Sequence, residues 1–99
     1  MLYNAYMKNN KTKTAKQLER HFKGVANHRR IATLLLVLKN PNITLESISE
    51  SLDCNMKTIS EHTRRLVQAG LINKEYKVRK VEHKISPYGK RFADFISKF

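Results

Sequence analysis

The chain has 99 residues, with 20 Lys and Arg against 8 Asp and Glu, a formal net charge of +12. That length leaves room for one domain with a small core. At 40% apolar residues the chain is too hydrophobic for a disordered segment, yet it has no run of about 18 apolar residues that could span a membrane.

The charge is unevenly placed. Residues 1–39 carry nine Lys/Arg and one Glu. Residues 40–54 carry Glu46, Glu50 and Asp53 and no cation. Residues 55–99 carry eleven Lys/Arg and four acids. A polyanionic partner fits this distribution better than the needs of solubility do. The single cysteine, Cys54, excludes an internal disulfide and any multi-cysteine zinc site, and it reads as a core residue. The N-terminal MLYNAYMKNNKTK is too polar for a signal peptide, and a cytoplasmic protein is expected.

Residues 1–13 lack apolar periodicity and read as a flexible basic arm with Lys8, Lys11 and Lys13. Residues 14–99 read as a single domain. Ala15, Leu18 and Phe22 share one face of a first helix over 14–23, which Gly24 is expected to stop. Asn27 caps a second helix over 28–39. Its Ile31, Ala32, Leu34, Leu35, Leu36, Val37 and Leu38 are apolar nearly all round, which predicts a central, buried helix. Asn40-Pro41 ends it, because proline disfavours α geometry in the residue before it.

Thr44 is an N-cap for a third helix over 45–52, with Leu45, Ile48 and Leu52 on one face. Asp53, Cys54 and Asn55 interrupt the pattern, and Asn55 caps a fourth helix over 55–69. Ile59 and Leu66 mark its buried side, joined less clearly by Met56 and Thr63. Gly70 is its left-handed terminator. Two short helices with a turn of about three residues make a helix-turn-helix, whose second helix fits the DNA major groove.

After Gly70 the period changes. Residues 71–76 and 79–86 read as two strands, with Val81, His83 and Ile85 alternating on one face. The turn near Lys77-Val78 has no Gly or Asn. Ser86 and Pro87 are an N-cap and first-turn proline for a last helix over 88–99, which carries the stripe Phe92, Phe95, Ile96 and Phe99.

These residues carry a resemblance. His28-Arg29-Arg30-Ile31 followed by Leu34-Leu35 is similar to the opening of the second helix in ArsR-type regulators. Leu45-x-x-Ile48-x-x-x-Leu52, then Lys57-Thr58-Ile59-Ser60-x-His62 and Leu66-x-x-x-Gly70-Leu71-Ile72, resembles that family's helix-turn-helix and its exit into a wing. Ile85-Ser86-Pro87-x-Gly89-Lys90 resembles the segment after the wing in MarR-type regulators. The resemblance to winged helix-turn-helix regulators of the ArsR and MarR type covers roughly residues 27–96. It implies a mainly α fold with a small β-hairpin, in the order α-α-α-α-β-β-α. The chain departs from the pattern in having no Cys at Glu46–Ser49, Thr63 where leucine is usual, and no glycine in the wing.

The resemblance implies that the helix over 55–69 enters the major groove of double-stranded DNA. The periodicity turns Lys57, Ser60, Glu61 and Arg64 outward, with Thr58 at the edge. Lys57 and Arg64 suit guanine O6 and N7, Glu61 suits cytosine N4, and Ser60 and Thr58 suit phosphate or base. His62 matches a common family position and is assigned to phosphate. Arg65 is assigned to a solvated Glu61–Arg65 pair. Lys77, Arg79 and Lys80 of the wing are candidates for backbone or minor-groove contact, setting affinity and salt dependence. Arg29 and Arg30 either add phosphate contacts or cover apolar surface with their stems.

A homodimer is expected through Leu18 and Phe22 of the first helix and Phe92, Phe95, Ile96 and Phe99 of the last. Packing of the stripe within one chain is the alternative. No cofactor and no metal are expected, since His21, His28, His62 and His83 are not at a zinc spacing. Enzyme motifs are missing: no paired carboxylates, no Gly-rich phosphate loop, no nucleophile beside a base. Besides a sequence-specific regulator, two readings stay open: a winged-helix protein-interaction module, and a non-specific architectural nucleic-acid-binding protein.

Overall fold

A computed structural model describes residues 13–99; the arm over 1–13 lies outside the described residues except for Lys13. The described elements are α1 (Ala15–Val25), α2 (His28–Lys39), β1 (Ile43–Thr44), α3 (Leu45–Leu52), α4 (Met56–Gln68), β2 (Ile72–Tyr76), β3 (Val81–Ile85) and α5 (Pro87–Lys98). The expected order holds with one strand added. The two-residue β1 pairs antiparallel with β3, so the sheet has three strands in the order β1-β3-β2. Nothing in a two-residue stretch gives a period to read. Only its partner makes it a strand.

Helix ends follow side-chain chemistry. Thr14 is the N-cap of α1 rather than its first residue. Its Oγ1 accepts from Gln17 N–H at 3.2 Å, and the Gln17 side chain accepts from Thr14 N–H at 2.9 Å, a reciprocal capping box. Asn27 Oδ1 accepts from Arg29 and Arg30 N–H at the start of α2. Thr44, Asn55 and Ser86 cap α3, α4 and α5 as their sequence positions predict. The α3–α4 turn is made by Asp53 in the left-handed conformation (φ 49°), and the Ser49 hydroxyl donates to the Cys54 carbonyl across it.

Gly24 does not stop α1. The helix runs on to Val25, and Gly24 is inside it. Its purpose is close approach: a Cβ there would stand 2.1 Å from the Cβ of Ala69 at the end of α4. Gly70 does take the left-handed conformation, at φ 74°.

The core is Val25, Leu34, Val37, Ile48, Ile59, Leu66, Ala69, Leu71 and Ile72, drawn from four helices, the α4–β2 junction and β2. Around it α2 is less central than its composition predicts. Only Thr33, Leu34 and Val37 are buried, while Ile31, Leu35, Leu36 and Leu38 are half-buried. Thr63 occupies the core without leaving its hydroxyl unbonded, because that group donates to the Ser60 carbonyl at 2.9 Å. Cys54 is half-buried against the same cluster.

Two histidines pin elements together. His21 Nδ1 donates to the Ala69 carbonyl at 2.6 Å, joining α1 to the end of α4. His83, facing inward on the central strand as expected, donates from Nδ1 to the Ile43 carbonyl at 2.9 Å. Burial pushes the His83 imidazole below its ordinary value; the Ile43 hydrogen bond opposes this, and nearby Lys74 reinforces it. The unfolded chain therefore takes up a proton near pH 6.5 that the folded chain refuses. Stability is fully present above that pH and is lost as pH falls through it towards the lower folded value. The melting temperature is expected to drop between about pH 7 and pH 5. A His83→Gln variant, less stable at neutral pH, should show a flatter drop over the same interval. A parallel drop in both proteins would assign the effect to other groups.

Candidate nucleic-acid interface

Helix α4 is amphipathic, and its two sides separate cleanly. Ile59, Thr63 and Leu66 are 0% exposed. Lys57, Ser60, Glu61, Arg64, Arg65 and Gln68 are exposed on the opposite side. The i, i+3, i+4, i+7 spacing of Lys57, Ser60, Glu61 and Arg64 places them on one stripe about two turns long. Asn55 Oδ1 accepts from Thr58 N–H at 2.8 Å, so the end of α4 that carries Lys57 is firmly capped. Met56, at the first helical position, is 42% exposed, and Thr58 is half-buried at the edge of the stripe.

One of the expected contact residues is placed differently from what the sequence predicts, and another is already engaged. His62 turns in rather than out. It is half-buried against the start of α2, and its Nδ1 is buried with no hydrogen-bond partner among the described residues. Burial lowers its pKa, and Arg30 and Arg29 lower it further, so the neutral imidazole is favoured. A neutral ring attracts a phosphate less than an imidazolium does. Glu61 is exposed but already engaged. It accepts from Arg64 Nε at 2.9 Å and Nη2 at 2.5 Å in a forked pair, and from Arg65 Nε at 3.1 Å. Arg64 first and Arg65 second hold its carboxyl down at about 2. Glu61 thus organises two arginines instead of presenting a free acceptor, and the expected Glu61–Arg65 pair is present.

The wing is β2, β3 and the loop between them, where Lys77 N–H donates to the Lys80 carbonyl at 2.8 Å. Val78 at its tip is 99% exposed. The register sets Glu75 directly opposite Glu82, a like-charge pair that destabilises a hairpin unless neutralised. The lysines do that: Lys77 and Lys84 pair with Glu75 at 2.7 Å each, and Lys80 pairs with Glu82 at 3.3 Å. Glu75 is consequently held at about 2, by Lys77 first and Lys84 second. The ribbon is less positive than its lysine count implies. Arg79 is the wing-tip cation with no carboxylate within ion-pair distance among the described residues.

The wing is anchored at its base. Ser86 N–H donates to the Leu71 carbonyl at 3.0 Å, and the Ser86 hydroxyl donates to the Gly70 carbonyl at 2.6 Å while accepting from Gly89 N–H at 2.9 Å. The serine that caps α5 therefore also holds the exit from α4, which fixes the wing and α4 relative to each other.

Helices α1 and α5 lie together. Phe22 meets Phe92 edge-on at 5.0 Å between ring centroids, and Phe95 meets Phe99 at 5.7 Å. Leu18, Phe22, Phe92 and Phe95, with Arg91, line a shallow, mostly apolar groove there. Phe22 is 52%, Phe95 56% and Phe99 96% exposed. Packing within the chain covers Phe92 and Ile96 only in part.

Among the described residues no three His, Cys, Asp or Glu side chains are grouped to hold a metal ion, and no helix is long and apolar enough to cross a membrane.

No protein-family profile matches the chain, and no curated protein matches it in sequence. Solved structures do match in fold. HlyU from Vibrio cholerae superimposes with a TM-score of 0.79 at 23% identity, over 87% of this chain and 94% of that one. The homodimeric winged helix-turn-helix DNA-binding domain of Mb0332 from Mycobacterium bovis, a possible ArsR-family transcriptional regulator, gives 0.75 at 20% identity, over 87% and 85%. A MarR protein from Peptoclostridium difficile gives 0.71 at 18% identity, over 78% of this chain and 53% of that one. What is shared at these identities is the fold, a winged helix-turn-helix, mainly helical with a small sheet.

Proposed function

We propose that this chain is a transcriptional regulator that binds specific sequences in double-stranded DNA, with α4 in the major groove and the wing beside it, and that it acts in the cytoplasm. One observation carries the reading: Lys57, Ser60 and Arg64 stand uncovered on one stripe of α4 while Ile59, Thr63 and Leu66 are fully buried behind them. A helix held this firmly with polar and cationic side chains exposed on its outer stripe matches what base edges require. Lys57 and Arg64 donate to guanine, and Ser60 bonds base or phosphate. Thr58, at the edge, reaches phosphate. Glu61 positions Arg64. Arg79 leads the wing's contacts with the backbone, with Lys77 and Lys80 adding theirs once freed from their carboxylates.

The protein works as a homodimer joined through α1 and α5. Exposed Phe22, Phe95 and Phe99 and half-buried Leu18, Phe92 and Ile96 supply an apolar face, and an exposed phenylalanine side chain gains up to roughly 1.5–3 kcal/mol on full burial. Two copies related by a two-fold axis offer two α4 helices to half-sites about one DNA turn apart. A Phe95→Asp variant is expected to run as a monomer by light scattering and to bind a palindromic duplex far more weakly. A mass unchanged from the parent protein would show that the stripe does not join two chains.

Selection of bound sequences from a random duplex pool tests the whole reading. The expected result is a two-fold symmetric motif. Binding with no sequence preference would make the chain an architectural protein, and no binding at low salt would leave a protein-interaction module.

A further inference from the structure

A second cationic feature flanks α4. Arg20 and Lys23 of α1, Arg30 of α2, and Arg65 and Gln68 of α4 line one cleft of about 330 Å³. Its floor is the Gly24–Ala69 contact, where the missing side chain lets α1 approach α4. Two carboxylates lie within ion-pair distance of its cations. Glu19 pairs with Lys23 at 3.1 Å, and Glu61 pairs with Arg65 at 3.1 Å. Arg20 and Arg30 have no carboxylate partner among the described residues. Arg30 Nε is, moreover, buried with no hydrogen-bond acceptor among the described residues. A buried guanidinium N–H without an acceptor is uncommon in a folded protein, and a water or a ligand oxygen can supply one. Planar, forked donors of this kind match the oxygens of a phosphoryl group.

We propose that this cleft is a phosphate-binding site, with Arg30 and Arg20 as its principal ligands and Arg65, Lys23 and Gln68 at its rim. Two sources present that chemistry. One is the DNA backbone: a helix in the major groove is flanked by sugar-phosphate strands, and Arg65 and Gln68 stand on the exposed side of α4, next to the stripe assigned to the groove. The other is a free phosphorylated molecule, which would sit between α1 and α4. The first source rests on the DNA-binding reading, and the second does not.

Two measurements on the full chain separate them. The Arg30 Nε–H signal is followed by NMR during titration with inorganic pyrophosphate and, separately, with a bound duplex, both at constant ionic strength. The salt dependence of duplex binding is then compared between the parent protein and Arg20→Gln/Arg30→Gln. If the backbone is the source, the duplex but not pyrophosphate moves the Arg30 signal. The log–log salt slope then becomes shallower by about 0.9 for each phosphate that the variant no longer neutralises. If a free phosphate is the source, pyrophosphate moves the signal saturably. Should the parent protein bind no duplex while pyrophosphate still saturates the cleft, the site stands and the DNA reading falls. Should duplex bind with the Arg30 signal unmoved by either probe and the slope unchanged, the DNA reading stands and the cleft is not a phosphate site. Silence in every arm overturns both.

Discussion

Gly89→Ala is expected to destabilise the protein by on the order of 3 kcal/mol, at the upper end of what overpacking a closed site costs. A Cβ at residue 89 would stand 1.9 Å from the Leu71 carbonyl oxygen and 2.9 Å from Ile85 Cγ1. The first obstacle is backbone and cannot rotate away. To make room, α5 must retreat from the α4–β2 junction. That loosens the Ser86 bonds to Leu71 and Gly70, at 3.0 and 2.6 Å. The helix propensity gained by replacing glycine with alanine is only about 1 kcal/mol, so the clash decides the sign. The melting temperature should fall on the order of 10–20 °C for a domain of this size. Ser97→Ala, on the exposed end of the same helix, is the control and should shift it little. A Gly89→Ala protein melting with the parent would mean that α5 does not rest on Leu71.

Lys57→Ala and Arg64→Ala are expected to change which sequences the protein prefers, each by about 1–3 kcal/mol at its own base pair, or roughly 5- to 150-fold. The two differ in what they leave behind. Lys57 has no ion-pair partner among the described residues, so its contact with a guanine is a simple gain. Arg64 must exchange the Glu61 carboxylate for the base. Both side chains of that pair are about half exposed, and an exposed pair is worth about 0–1 kcal/mol, so the exchange is easy. Glu61 then remains with Arg65. Arg79→Ala is the contrast: it should weaken all duplexes by a similar factor and make the salt slope shallower. Competition binding with a panel of single-base variants of the selected site reads all three. Uniform weakening by Lys57→Ala and Arg64→Ala would remove α4 from the role of sequence reader.

How much of this was open to a reader of the sequence depends on how local the signal is. The helix-turn-helix was legible because each part depends on its neighbours: Thr44 and Asn55 as caps, Ile48, Ile59 and Leu66 at helical spacing, Gly70 at the end. The outward stripe Lys57, Ser60, Glu61 and Arg64 followed from the same period. His62 did not. At a period of 3.6 it sits beside the buried stripe, and whether such a residue turns in depends on what packs there, in this case the start of α2 with Arg29 and Arg30. Gly24 departs from expectation for a related reason. A glycine late in a helix pattern looks like a terminator, and only the position of Ala69, 45 residues on, shows it to be a contact. The wing is less cationic than its composition suggests because composition counts lysines, whereas the register decides which carboxylates lie next to them.

The sequence by itself determined the excess of positive charge, the helices with their N-caps, the two strands of the wing and the buried face of α4, the last three being properties of residues within a turn or two of one another. The tertiary structure alone decided that Ile43–Thr44 is a strand, that Gly24 and Gly89 are points of contact between elements, and that Arg20, Arg30 and Arg65 share a cleft. Those are relations between residues far apart in the chain. Periodicity and capping act over a few residues and carry no information about which distant surface will arrive; that is set when the apolar faces of α1, α2 and α4 close on a common core.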